Sequence, residues 1–338
     1  MKDIIKLPIY SLIYVFGGLV FLFTQKTPKQ SYFAMRYFYV LSNGKVNSFI
    51  NRMLGFFYPK YQKIRASGIL GDLSGEEVKS IVDSINENGF YEIETKLDPE
   101  MVEKLTAFGK ATPTKVLDAS VDMPRYYNEL MLADENNIIS PRYTIPNDQL
   151  LKNPSVQEIA FDKSFLAIAN EFMQCKPVLS DIQMWWSFPF GGKAKSAAAQ
   201  MYHFDMDRIK FLKFFFYLTD VGPETGPHCY IRKSNRIKPK AILSDGRKTD
   251  DLMKSHYAAE DMMELKGEKG SILIVDTSGW HKGKPLTKDK RLLLQIQYAN
   301  SLFGAAYKEL KLEQPSSNTF TKLIQTYAHT FKQVIKTK

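Results

Sequence analysis

Hydrophobic positions along the chain fall into three regimes. The first is Leu7–Phe23, LPIYSLIYVFGGLVFLF, seventeen residues without a charge. The second is spaced for helices. At Ser74-Gly75-Glu76-Glu77 a serine precedes a glutamate by three positions, so its hydroxyl can accept from the third helical amide while the carboxylate reaches back. Val78, Ile81, Val82 and Ile85 follow at helical intervals, and Asn88-Gly89 closes the run. Phe90–Ile93 reads as a short strand. Asp98-Pro99 opens a second helix, with Val102, Leu105 and Phe108 inward and Gly109 at its end. Residues 110–150, punctuated by Pro113, Pro124, Pro141 and Pro146, read as irregular, and Ser155–Met173 as one more helix.

In the third regime the period shortens to that of strands: Leu179–Phe188, Ala198–Asp205, Phe211–Leu218, His228–Arg232, Gly270–Asp276 and Arg291–Ala299. Gly191-Gly192, Gly222-Pro223 and Lys269-Gly270 supply turns between them. Helices first and strands afterwards predict an α+β chain with a β-sandwich or barrel core. The stripe Phe320, Leu323, Ile324, Tyr327, Phe331, Val334 and Ile335, with lysines opposite, predicts a C-terminal helix packed on that core, a membrane-surface contact being the alternative.

Composition adds limits. With 44% hydrophobic and 24% charged residues over 338 positions, the chain can bury a sizeable core and is not disordered. Two cysteines, Cys175 and Cys229, are too few for a disulfide scaffold, and neither has a partner at metal-binding spacing. The net charge of +10 is unevenly placed. No Asp or Glu occurs between Asp3 and Asp72, and residues 1–71 carry +9 of the total. Residues 72–338 are close to neutral, which argues against a nucleic-acid partner, since phosphate binding needs basic residues around the site.

The chain therefore divides at 71/72, into a basic apolar segment and a globular domain. Residues 7–23 are just short of the roughly 20 that a spanning helix wants, so a span and an interfacial anchor both fit. Aromatic-basic stretches follow at Tyr32–Tyr39 and Leu54–Tyr58, a composition suited to anionic lipid headgroups. If residues 7–23 span, the heavier positive charge after them places the globular domain in the cytoplasm. The competing readings are a soluble cytoplasmic protein whose first helices pack on the core with basic outer faces, and a transit peptide. No small-residue cleavage site follows the apolar run.

The chemistry concentrates in four residues. On a strand, His203 and Asp205 project to one face while Phe204 projects to the other. With His281, beyond the apolar strand Ser271–Val275, they form the two-imidazole, one-carboxylate set that holds Fe(II) on one face and leaves positions open for a bidentate acid and O2. Arg291 begins the next strand, where a guanidinium can take a co-substrate carboxylate in a fork. A His-x-Asp triplet alone is weak, and His228 or His256 could equally be named as ligands; the ordered combination is stronger.

That order resembles the phytanoyl-CoA dioxygenase-like Fe(II)/2-oxoglutarate oxygenases, over about residues 75–305. Asn88-Gly89-Phe90 with Leu97-Asp98-Pro99-Glu100 looks like the entry segment, Tyr202-His203-Phe204-Asp205 like the proximal metal motif, and Thr225–Ile231 like the glycine turn and the strand after it. Gly267–Asp276 looks like the strand leading to the distal ligand, and Trp280-His281-Lys282-Gly283 and Arg291 resemble the distal histidine and the 2-oxoglutarate arginine. The resemblance implies a double-stranded β-helix (jelly-roll) core with flanking helices, and decarboxylation of 2-oxoglutarate to succinate and CO2 coupled to hydroxylation of a small organic or lipid-linked substrate. The family's Pro-Gly-Ser-His is replaced by Ile231-Arg232-Lys233-Ser234-Asn235, and His228 occupies the turn. Trp185, Tyr202, Tyr217, His228 and Trp280 are candidates for the pocket wall, with ordinary barrel core as the alternative for each. A β-helix that binds a ligand at a membrane without turnover is the competing function.

Overall fold

The structure, a computed structural model, describes residues 2–336, with side chains from Lys6 to Val334. Helices α1 (Lys2–Thr24), α2 (Lys29–Ser42) and α3 (Lys45–Phe57) come first, followed by the hairpin β1 (Ala66–Gly68) and β2 (Gly71–Leu73). Next are α4 (Gly75–Asn88), β3 (Phe90–Ile93), α5 (Pro99–Ala111), β4 (Thr114–Leu117), β5 (Tyr126–Met131) and β6 (Arg142–Thr144). Helices α6 (Asn147–Leu150), α7 (Pro154–Ala160) and α8 (Lys163–Met173) lead to β7 (Val178–Ser187), β8 (Phe211–Tyr217) and β9 (His228–Ile231). After α9 (Asp250–Lys254) come β10 (Met262–Leu265), β11 (Ile272–Val275), β12 (His281–Gly283) and β13 (Arg291–Ala299). The chain ends with β14 (Leu310–Leu312), α10 (Asn318–Thr326) and β15 (Val334–Lys336).

Two sheets face each other. The large antiparallel sheet runs β3-β11-β8-β13-β7-β6-β4-β5, and the small one runs β10-β9-β12. His203 extends the small sheet by a two-residue bridge to His281. Strand alternation sorts the side chains. Leu292, Leu294 and Ile296 of β13, with Phe214 and Phe216 of β8, join the main core beneath α4, α7 and α8. Leu293, Phe215, Tyr217 and Trp185 turn the other way, into the space between the sheets. The outer face of the small sheet carries Tyr202, Phe204, Cys229, Ile231 and Trp280, and Tyr39 of α2 covers it.

Several expectations are corrected. The proline-punctuated 110–150 stretch contains β4, β5 and β6, because Pro113 and Pro141 precede strands and Pro146 caps α6 rather than interrupting either. The helix over 155–173 is two, since Asp162 breaks it by capping α8, its carboxylate accepting from the Ser164 and Phe165 amides. Ala198–Asp205 is not a strand; only Tyr202 and His203 make bridges. The terminal helix stops at Thr326. Beyond it Phe331 packs on Phe161, ring centroids 5.3 Å apart, and β15 pairs in parallel with β14. The side chain of Ile335 lies outside the described residues.

Helix α1 does not stand alone. Its Ser31-facing side packs on α2 at Gly17, where a Cβ would overlap the Ser31 side chain, and the Ser31 hydroxyl donates to the Ile13 carbonyl at 3.0 Å. Tyr14 stacks on Phe38, and Tyr14 and Phe21 both reach Phe303, with centroids 5.5 Å apart. The opposite side, Leu12, Phe16, Leu19 and Phe23, is exposed.

Two outcomes follow. Gly17→Leu should force α1 from α2 and speed tryptic cleavage at Lys26 and Lys29 several-fold under native conditions. Ser74→Ala should lower stability to urea by about 1 kcal/mol, because the observed capping box at α4 loses its hydroxyl.

Candidate active site

The His203–His281 bridge is reciprocal: each amide donates to the other's carbonyl, at 2.9 and 2.8 Å. It sets the two imidazoles side by side with ring centroids 4.3 Å apart. Each Nδ1 lies against a carbonyl two residues back, Met201 at 2.9 Å and Gly279 at 3.0 Å, so each Nδ1 carries the proton and each Nε2 presents a lone pair. The Asp205 amide donates to the Thr277 carbonyl at 2.8 Å. Its carboxylate then lies 3.6 Å from the Nε2 of His203 and 3.5 Å from that of His281. One ligand atom from each of the three residues falls within 4.8 Å of the others.

The charge states suit ligation. Burial pushes His203 down to about 4 and His281 down to about 3, so both rings are neutral near pH 7. Burial raises the Asp205 pKa, but the Lys213 ammonium beside it works the other way, and the carboxyl is held well below its usual range. Lys213, on the inward face of β8, contacts Asp205 at 2.6 Å and Asp207 at 3.5 Å.

Farther along the same space, Arg291 is buried. Its Nη1 donates to the Gly226 carbonyl, its Nη2 lies 3.3 Å from the Ser187 hydroxyl, and its Nε has no partner. No carboxylate pairs with it among the described residues. Arg142 sits in the same cross-strand row, through the register Arg142↔Ser187↔Arg291, and its guanidinium stacks 4.2 Å over Trp185. It too has no acidic partner among the described residues. Burial lowers the pKa of both arginines, so the end of the chamber holds two poorly compensated cations, an environment made for an anion.

A family model described as phytanoyl-CoA dioxygenase (PhyH) matches residues 85–292, more than half of the chain. The chain belongs to the phytanoyl-CoA dioxygenase family. It is by class a non-haem iron, 2-oxoglutarate-dependent oxygenase with the jelly-roll core of that class. Among solved structures, iron-bound EctD from S. alaskensis is similar at 14% identity, covering 77% of this chain and 95% of its own, with a TM-score of 0.50. The 2-oxoglutarate-dependent epimerase SnoN from nogalamycin biosynthesis follows at 13% identity, 73% and 89% coverage and a TM-score of 0.49. HygX from Streptomyces hygroscopicus, with nickel and 2-oxoglutarate bound, has 16% identity, 73% and 93% coverage and a TM-score of 0.45. No curated protein matches the sequence.

The residues present fit the family's iron. Two neutral imidazoles with fixed tautomers and one carboxylate are a donor set for a divalent metal, and the chain brings them together from two paired segments. Of the pocket-wall candidates, Trp185, Tyr217 and His228 face the space between the sheets. His228 packs between Phe215 and His281, centroids 5.0 and 5.3 Å away, with its Nε2 buried and unpartnered. The Tyr217 hydroxyl is already engaged, donating to the Leu265 carbonyl at 2.8 Å and accepting from the His228 amide at 3.1 Å. Tyr202 and Trp280 are corrected. Each is one position from a candidate ligand, so alternation turns both to the outer face, with Phe204. His256 lies elsewhere, its Nδ1 against the Leu252 carbonyl.

Lys213, Arg142 and Ser187 were missed. Lys213 had a signal: it is the lone charge in the strand FLKFFFY, at a position that alternates with inward-facing Phe215 and Tyr217. Lys213→Met should destabilise the metal-free protein by about 3 kcal/mol, as expected when one partner of a buried pair is removed. The same variant should bind Co(II) more tightly than wild type in calorimetry, because an ammonium no longer competes for Asp205. His203→Ala should lose Co(II) binding by at least about 100-fold, on the scale of a lost ligand.

Proposed function

We propose that His203, Asp205 and His281 hold Fe(II), that Arg291 with Ser187 and Arg142 holds the far carboxylate of 2-oxoglutarate, and that the enzyme hydroxylates a small organic or lipid-linked substrate, releasing succinate and CO2. The observation that carries this reading is the disposition of the imidazoles: each Nδ1 is committed to its own backbone, and both Nε2 atoms converge on one carboxylate. Bound Fe(II) with 2-oxoglutarate supplies an O2-dependent oxidation of a C–H bond. The chain's own part is positional. Lys213 keeps the Asp205 carboxylate ionised while no metal is bound, and the two histidines hold each other by their bridge. Arg291 fixes the depth of the co-substrate from the inner end of β13, where Gly226 supports its guanidinium. Phe215, Leu293 and Tyr217 keep bulk water from the inner end. Trp185, His228, Gln183 and Gln295 form the remaining inward wall, partly aromatic and partly amide, which suits a substrate with polar groups.

Residues 1–71 are the membrane-associating segment in this reading, and 72–338 the oxygenase domain. The exposed Leu12, Phe16, Leu19 and Phe23 favour contact with lipid, while the packed Tyr14, Gly17 and Phe21 favour lying in the interface over spanning it. Lys6–Thr24 passes the length and composition test for a span, as some helices of soluble proteins also do.

The test is anaerobic titration of the Fe(II) protein with 2-oxoglutarate, read by its visible charge-transfer band, and then measurement of succinate release once O2 is admitted with substrate. Arg291→Gln should raise the 2-oxoglutarate concentration required at least about 30-fold, equivalent to about 2 kcal/mol for a broken buried charge contact. Unchanged 2-oxoglutarate binding in that variant would remove the arginine from its assigned role. Iron binding without succinate from any substrate tried would favour a non-catalytic binding module.

A further inference from the structure

A second site lies away from the chamber, where α3 meets the barrel. A cleft of about 600 Å³ opens there, a size usual for small-ligand sites. Lys45, Arg52, Lys210 and Arg236 line it, against the single carboxylate of Asp276. None of the four cations has an ion-pair partner among the described residues. Lys210 is the deepest. Its ammonium donates to the Phe172 carbonyl at 2.6 Å and lies 4.2 Å from the Phe172 ring centroid. Burial lowers its pKa and Asp276 only partly opposes this, so an anion in the cleft would relieve a standing desolvation cost.

Helix α3 gives the cleft its second character. Lys45, Ser48 and Arg52, at helical spacing, line the cavity. One residue on, Phe49, Met53, Phe56 and Phe57 form an exposed apolar stripe along the same helix. A cationic polar face therefore borders an apolar face, in a segment of the chain that carries no acidic residue between Asp3 and Asp72. A free phosphate would use the first face and leave the second unexplained. A phospholipid uses both.

We propose that this cleft binds the phosphate-bearing headgroup of an anionic phospholipid, with Lys45, Arg52, Lys210 and Arg236 around the phosphate and the α3 stripe against the acyl chains. The lipid source rests on the interfacial reading of residues 1–71 given above; the phosphate site itself does not. The experiment uses the full chain and two double variants of equal charge change, Arg52→Gln/Arg236→Gln in the cleft and Lys254→Gln/Lys269→Gln outside both the cleft and residues 1–71. Glycerol 1-phosphate and inorganic phosphate are titrated by calorimetry, and sedimentation with phosphatidylcholine vesicles is compared with and without phosphatidylglycerol. Wild type should bind glycerol 1-phosphate, and the cleft variant should bind it at least tenfold more weakly while the control variant is unchanged. The cleft variant should also lose its preference for phosphatidylglycerol vesicles, with 2-oxoglutarate binding intact as evidence of folding. Equal losses in both variants would overturn the site in favour of diffuse charge attraction. Phosphate binding in the cleft with no vesicle binding by wild type would overturn the lipid source and the interfacial reading, leaving a site for soluble phosphate.

Discussion

The period-two alternation of β13 and its neighbours is the constraint on which the rest depends. One face of the large sheet must be apolar enough to seat α4, α7 and α8, and Leu292, Leu294 and Ile296 serve that face. The opposite face is thereby released from the main core and can carry Arg291 and Gln295 beside Leu293. A slip of one residue in this register would send the guanidinium into the helix layer and a leucine into the chamber. The same rule admits Lys213 to the interior and sends Tyr202 and Trp280 to the outside.

What a strand pattern can show, the sequence showed well. Long strands such as β7, β8 and β13 were legible because their apolar runs are bounded by turn residues, and α4 was legible because Ser74 and Glu77 announce it. One ligand atom from each of His203, Asp205 and His281 falls within 4.8 Å of the others, and that set was legible from residue types and their order along the chain rather than from strand structure. The segment around His203 was not, since its order comes from two bridges and a carbonyl of Thr277 far along the chain. Arg142 was hidden for a related reason: its partners Ser187 and Trp185 are supplied by a register that nothing local encodes. The proline-rich approach to it read as loop although the prolines stand at the edges of strands.

The first seventy residues were legible in composition and illegible in placement. Their charge asymmetry and apolar run are plain, but the face that α1 presents is decided by Gly17 against Ser31 and by Tyr14 and Phe21 against Phe303. These contacts join an element at the start of the chain to a loop near its end, and no helical period reveals them.

Tyr39 gives that arrangement a consequence for the catalytic body. Its hydroxyl donates to the Ser278 carbonyl at 3.1 Å, three residues before His281, and its ring lies 5.5 Å from Phe204, the neighbour of both His203 and Asp205. Lys238, buried beneath it, donates to the same hydroxyl at 3.1 Å. Trimming the chain to its family-like portion would thus remove the Tyr39 contacts that back the very segments carrying the three candidate ligands. The apolar head of this protein is a rear wall of its reaction chamber, and the two cannot be cut apart at residue 72 without cost to the arrangement of those segments.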